Sequence, residues 1–149
     1  MLVVVLTLLM LQLQSFSRLA MVVLTATVLV MLFRSRVHTV RENPEALQFF
    51  RHYQGGVEPP ASARAARHFS SLFEAPTLFY TACLAAMATG QTGTAVVALA
   101  WGYVAARLAH AYIHLGGNRL RWRIRAYFAS WLVLLALWVI LVLGMATRG

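Results

Sequence analysis

Four apolar runs constrain this chain more than any other feature. They lie within residues 1–33 and at 69–89, 94–115 and 126–146. Each is close to the ~20 residues that carry a helix across the hydrocarbon core of a bilayer. The chain has 149 residues, so almost nothing is left over for a soluble domain. At 60% hydrophobic residues and a mean hydropathy of +0.70, a water-soluble globule is excluded. The expected fold is an all-α membrane protein, a single integral domain over 1–149 built as a four-transmembrane-helix bundle. Its helices are expected at about 3–34, 62–89, 93–116 and 120–147, with a loop at 35–61.

Residues 1–33 contain no Gly or Pro, so no turn divides them into a hairpin. The opening MLVVVLTLLMLQLQ has no basic leader and no small-residue cleavage site, and it reads as part of a retained helix. Arg18 falls in the middle of that helix, where it either snorkels to an interface or faces a neighbour. In the 35–61 loop, Asn43-Pro44-Glu45 is a helix start, with Asn as cap and Pro at the first position. A short helix is expected near 44–53, stopping at Gly55-Gly56, before Pro59-Pro60 leads into the second long helix.

All thirteen basic residues are arginine and all four acidic ones glutamate, giving a net charge of +9. In a soluble protein that balance points to nucleic acid. Here the arginines cluster on one side of the expected bundle, so no nucleic-acid partner is expected. The loop after the first helix carries Arg34, Arg36, Arg41, Arg51 and Arg64, and the loop after the third carries Arg119 and Arg121. The opposite side holds both termini and the link TGQTG, with Arg148 alone nearby. Arginine-rich loops face the cytoplasm, which places both termini on the other side. The single Cys83, within TACLAAM, provides no disulfide framework.

Residues 67–76 read RHFSSLFEAP, which sets Glu74 about two turns into an apolar span. On a continuous helix Arg67, Ser71 and Glu74 share one face. Pro76 cannot donate to the carbonyl of Leu72, so a kink is expected beside the carboxylate. Arg107, His110 and His114 form a second stripe, and Arg119, Arg123 and Tyr127 a third. Glu74 and Arg107 both lie on the order of 10–12 Å below the cytoplasmic face at 1.5 Å per residue. A lone charge at that depth costs roughly 2–3 kcal/mol, which a Glu74–Arg107 ion pair would offset.

A packing clamp accounts for that pair alone. The additional histidines, Tyr127, Arg67 and Arg123 point instead to a buried, arginine-lined cavity. Such a cavity suits a small zwitterion with more negative than positive charge, its carboxylates held by arginine and its ammonium by Glu74. Arginine beside a thiol would also favour the thiolate. His110 and His114, one turn apart, also permit metal or haem ligation, with Glu74 or His68 completing the shell. A ring of arginines disfavours a cation, and no metal is assigned.

These stripes resemble those of the MAPEG family, the membrane-associated proteins of eicosanoid and glutathione metabolism. The likeness runs from ENPE in the first loop to the fourth helix, and is greatest to the bacterial branch, where a segment like HFSSLFEAPTLFY is typical. The family's Arg-x-x-x-Asn-x-x-Glu is matched by Arg67, Ser71 and Glu74, and its Arg-x-x-His-x-x-x-Tyr by Arg107, His110 and His114. Its Arg-x-x-x-Arg-x-x-x-Tyr is matched by Arg119, Arg123 and Tyr127. Ser71 thus replaces an asparagine, His114 a tyrosine, and Ile124 stands where some prostaglandin-synthase relatives have serine.

The resemblance implies a homotrimer that binds glutathione as co-substrate between subunits. By residue-wise carry-over, Arg67, Glu74, His110 and Tyr127 hold glutathione, and Ser71, Arg107, His114 and Arg119 complete the site. Either Arg34 or Arg36 reaches a glutathione carboxylate across the subunit boundary. Arg123 stabilises the thiolate with Tyr127 as helper. The implied function is a glutathione-dependent transferase or peroxidase acting on lipophilic electrophiles in a bacterial inner membrane. The alternative is a non-catalytic, lipid-binding or scaffolding protein of the same fold.

Overall fold

A computed structural model describes residues 1–53 and 58–147 of the chain. All regular structure among them is helical. The first helix, α1, runs from Leu2 to Glu42, well past the end of its apolar run. Nothing in RSRVHTVRE breaks a helix, so it continues beyond the apolar segment until Asn43 meets Pro44. A residue before proline is pushed out of the α region, and Asn43 is extended (φ −137°, ψ 95°). Its side-chain Oδ1 accepts the Glu45 N–H at 3.1 Å, and the short α2 follows at Ala46–His52. The expected stop at Gly55-Gly56 lies outside the described residues. The Arg36 guanidinium lies over the rings of Phe50 (5.3 Å) and Tyr53 (5.9 Å), fastening α2 to α1.

The second span is two helices rather than one. Pro60 opens α3, Pro60–Ser71, and α4 covers Ala75–Ala88. Pro76 brings no N–H to Leu72, and its ring cannot follow the carbonyl of that turn. The chain leaves helical geometry at Glu74 (φ −89°, ψ −96°) and restarts with Pro76 in the first turn of α4, where a missing N–H is harmless. The remaining long helices are α5, Thr94–Leu115, and α6, Leu120–Ala146. They pack more extensively on each other than any other pair of helices, while α1 lies against α3, α5 and α4.

The inward side of α1 presents Gln14, Ser17, Met21, Leu24, Val28 and Leu32, spaced three or four residues apart as a single helix face requires. Of these, Met21, Leu24 and Val28 share one core with Phe79, Ala82 and Ala86 of α4, Ala100 and Tyr103 of α5, and Leu134, Leu137 and Leu141 of α6. Phe79 stacks on Tyr103 with centroids 4.5 Å apart. The alanines let the backbones approach closely, which is how helices gain contact in a medium as apolar as their side chains. At Gly144 the Gln91 side chain lies so close that a Cβ there would collide with Gln91 Oε1. Gln91 in turn donates through Nε2 to the Leu141 carbonyl at 3.0 Å, tying the α4–α5 turn to α6.

Outward faces are greasy, with Leu19, Val22, Val23, Leu29 and Val30 of α1 and Leu132, Leu135, Val139, Val142 and Leu143 of α6 exposed. The polar groups lie inside, which reverses the arrangement of a soluble protein. Four helical stretches, α1, α3–α4, α5 and α6, are long and apolar enough to cross a membrane. The chain is an integral membrane protein.

Candidate functional site

The break between α3 and α4 decides the chemistry of this end of the bundle. A continuous helix would satisfy the Ser71 carbonyl with the N–H of Ala75; the break removes that partner. Arg107 of α5 replaces it. Arg107 is fully buried, and its Nη2 donates to the Ser71 carbonyl at 3.0 Å and to Ser71 Oγ at 3.3 Å. Ser71 Oγ itself donates to the His68 carbonyl at 2.7 Å.

The expected Glu74–Arg107 ion pair is therefore not formed. The ion pairs among the described residues are Arg36–Glu58 (3.7 Å) and His38–Glu42 (3.1 Å), both away from the bundle interior. Glu74 is exposed on the single chain. The physical reason is the phase of the helix. The spacing that aligns Arg67, Ser71 and Glu74 assumes an unbroken α-helix, and three non-helical residues rotate Glu74 off that face.

Beside the break lies a cavity of about 310 Å³. Its polar wall is formed by Ser71, Glu74, His110, His114, Arg123 and Tyr127, and its apolar side by Ile124 and Phe128. The cavity thus draws on all three motif-bearing segments, but only one arginine lines it. Arg123 is held by Asn118, whose Oδ1 accepts from Nη1 at 2.8 Å. Asn118 sits in the left-handed region (φ 45°) after Gly116-Gly117, a conformation asparagine tolerates better than most residues. The Arg123 carbonyl lies 3.2 Å from His110 Nδ1. A carbonyl only accepts, so Nδ1 carries the proton and Nε2 presents its lone pair. Tyr127 packs its ring 5.6 Å from that of His110.

The other arginines of the sequence motifs stand apart from this cavity. Arg67 is exposed, with Nε donating to the Ala63 carbonyl at 3.2 Å. Arg34 borders a groove on α1 beside Val30 and Met31, and Arg119 borders another beside Tyr112 and Trp122. Arg36 is occupied by Glu58, which also accepts from Ser62 Oγ at 2.6 Å.

Two residues had no place in the expected site, and a third entered it only as one of two ways to complete a metal shell. Asn118 fixes Arg123, and Phe128 is an apolar wall one position beyond Tyr127. The Gly-Gly-Asn turn was the available signal for the first; nothing local signals the second. The third is His68, buried on α3, with ring centroids 5.3 Å from His110 and 5.2 Å from His114. One ring nitrogen from each of these three buried histidines lies within 4.8 Å of the others. Neither His68 nitrogen has a hydrogen-bond partner among the described residues, nor does His114 Nδ1.

Residues 2–143 match the model of the MAPEG family. None of the curated proteins and none of the solved structures compared gives a significant match. A match that runs from the start of α1 into the last turns of α6, across all three polar motifs, makes this chain a member of the MAPEG family.

Proposed function

We propose that the protein is a glutathione-dependent transferase or peroxidase acting on lipophilic electrophiles at the membrane. The family to which it belongs includes such enzymes. The observation that carries the reading is the cavity beside the helix break, where an anchored guanidinium, a carboxylate and a phenol meet an apolar wall. At about 310 Å³ it lies at the lower end of small-molecule sites, which span roughly 300–1,000 Å³. Glu74 suits the ammonium of glutathione, and Arg123 with Tyr127 suits its sulfur.

In this reading Arg123 lowers the free energy of the thiolate over the thiol, and the thiol proton leaves to solvent. The thiolate attacks the electrophilic carbon of an aryl halide; an S–C bond forms as the carbon–halogen bond breaks, and halide departs with the electron pair. Ile124 and Phe128 give the apolar reactant its surface. As parts of the same proposal, the chain forms a homotrimer and its arginine-rich loops face the cytoplasm of a bacterial inner membrane. The exposed Glu74, and arginines that face away from the single-chain cavity, suit a site completed by a neighbouring subunit.

The test is conjugation of an aryl halide by purified protein, with glutathione and without. A glutathione-dependent rate is expected, and Arg123→Ala should lower it by about 10²–10³-fold, the scale for losing one preorganised charge stabiliser. No conjugation, together with no glutathione binding at millimolar concentration, refutes the proposal. A groove of about 690 Å³ between α1 and α5, walled by Phe16, Leu19, Val23, Leu24, Trp101 and Leu108, favours the second reading, a non-catalytic lipid-binding protein. In that case Arg123→Ala changes ligand binding or assembly and there is no rate to lose.

A further inference from the structure

We propose that His68, His110 and His114 form a three-imidazole site for a transition-metal cation of the zinc class. This goes beyond the glutathione reading and stands whether or not thiol conjugation is found. The spacing of His110 and His114 alone is permissive, since two histidines one turn apart on a helix are also ordinary packing. The sequence left Glu74 or His68 to complete the shell, and the tertiary structure places His68, from a different helix, beside the other two. His68 on α3 is fully buried, and it meets His110 and His114, themselves 5% and 7% exposed.

Geometry supports coordination. With Zn–N bonds of about 2.0–2.1 Å, tetrahedral nitrogens stand about 3.3 Å apart. The three nitrogens here lie within 4.8 Å of one another, so rotations that move each ring by on the order of 1 Å close the site. The hydrogen bonding agrees. Metal-bound histidine almost always donates its other N–H to a carbonyl or carboxylate, and His110 Nδ1 does so to the Arg123 carbonyl at 3.2 Å. That bond fixes the tautomer with the Nε2 lone pair available. Both nitrogens of His68 and Nδ1 of His114 are buried with no partner among the described residues. A buried, unsatisfied polar group costs about 1–3 kcal/mol, and a ligand shared by one nitrogen of His68 and one of His114 would relieve that cost at both rings.

Charge is the objection. Arg107 bonds to Ser71, whose hydroxyl bonds to the His68 carbonyl, so a guanidinium is close by. Two features offset it. Three neutral imidazoles leave a fourth position to a ligand from the adjoining cavity, which His110 and His114 line together with the carboxylate of Glu74. A zinc-bound water also loses its proton near pH 7, and the resulting hydroxide removes one unit of charge.

The experiment uses full-length protein purified without a polyhistidine tag, in detergent and thiol-free buffer, stripped with a chelator and titrated with Zn²⁺ or Co²⁺. The expected result is one ion per chain, with the intense visible bands of four-coordinate Co²⁺. His68→Gln and His114→Gln should each weaken binding by more than the ~10–100-fold typical of outer-shell changes. Each variant is first shown folded by its melting profile; Zn²⁺ should raise the melting temperature of the wild type and leave that of the variants unchanged. Substoichiometric binding by folded wild type, a six-coordinate Co²⁺ spectrum, or undiminished binding in either variant overturns the proposal. The absence of glutathione keeps its outcome separate from that of the conjugation assay.

Discussion

Arg107 offers the sharpest test of how this bundle tolerates charge. It is fully buried, bonds only to Ser71, and leaves Nε and Nη1 without a partner among the described residues. Replacing it with methionine, a shorter but flexible uncharged chain that refills most of the space, removes the charge-assisted bond to the Ser71 carbonyl, about 1.5–3 kcal/mol. The same change also relieves a guanidinium set about two turns inside a membrane helix, roughly 2–3 kcal/mol on insertion scales. The two nearly cancel, so Arg107→Met should change stability by no more than about 1.5 kcal/mol in either direction.

Arg107→Ala removes the same charge and also opens a void. At ~24 cal/mol per Å³ for a space of roughly 80 Å³, that adds about 2 kcal/mol of destabilisation. Equilibrium unfolding in mixed micelles of mild detergent and dodecyl sulfate measures both. If Arg107 were instead paired with Glu74, methionine would strand a carboxylate and cost about 3–5 kcal/mol. A loss of that size in Arg107→Met, reproduced by Glu74→Gln and not additive with it, would refute the helix-break account and restore the ion pair.

Two further outcomes follow from particular contacts. Asn118→Gly keeps the left-handed backbone but removes the carboxamide that holds Arg123 at 2.8 Å; conjugation should fall about ten- to a hundredfold, matching about 1.5–3 kcal/mol for a bond to a charged group. Melting should stay near wild type, and an unchanged rate would release Asn118 from any positioning role. Gly144→Val drives a side chain into Gln91 and breaks its bond to the Leu141 carbonyl; it should lower stability by about 1–3 kcal/mol. Gly144→Ala should cost less, because better helix propensity returns about 1 kcal/mol and Gln91 is flexible enough to shift.

Much of this molecule was legible along the chain because its causes are local. Apolar length sets the four candidate spans, Asn43-Pro44-Glu45 starts the short α2, and the missing N–H of Pro76 interrupts the second span; the extension of α1 from 34 to Glu42 was not read from the sequence. Helical period places Arg107, His110 and His114 on one face of α5, where the structure buries all three. The family resemblance drew on the same motifs, and the match over residues 2–143 bears it out. The partners of those faces were another matter. Periodicity orders residues within one continuous helix, and three non-helical residues at 72–74 cancel the phase that joined Glu74 to Arg67.

Only the packing of separate helices could give Arg107 the Ser71 carbonyl, turn Arg67 outward, hold Arg123 on Asn118 and bring His68 onto α5. Each of these depends on how helices rotate and at what depth they cross, which is set by contacts between residues far apart in sequence. The sequence by itself determined a four-span helical bundle with polar stripes. The tertiary structure decided which stripes meet, because a buried charge or imidazole takes whichever partner the neighbouring helix presents at its level.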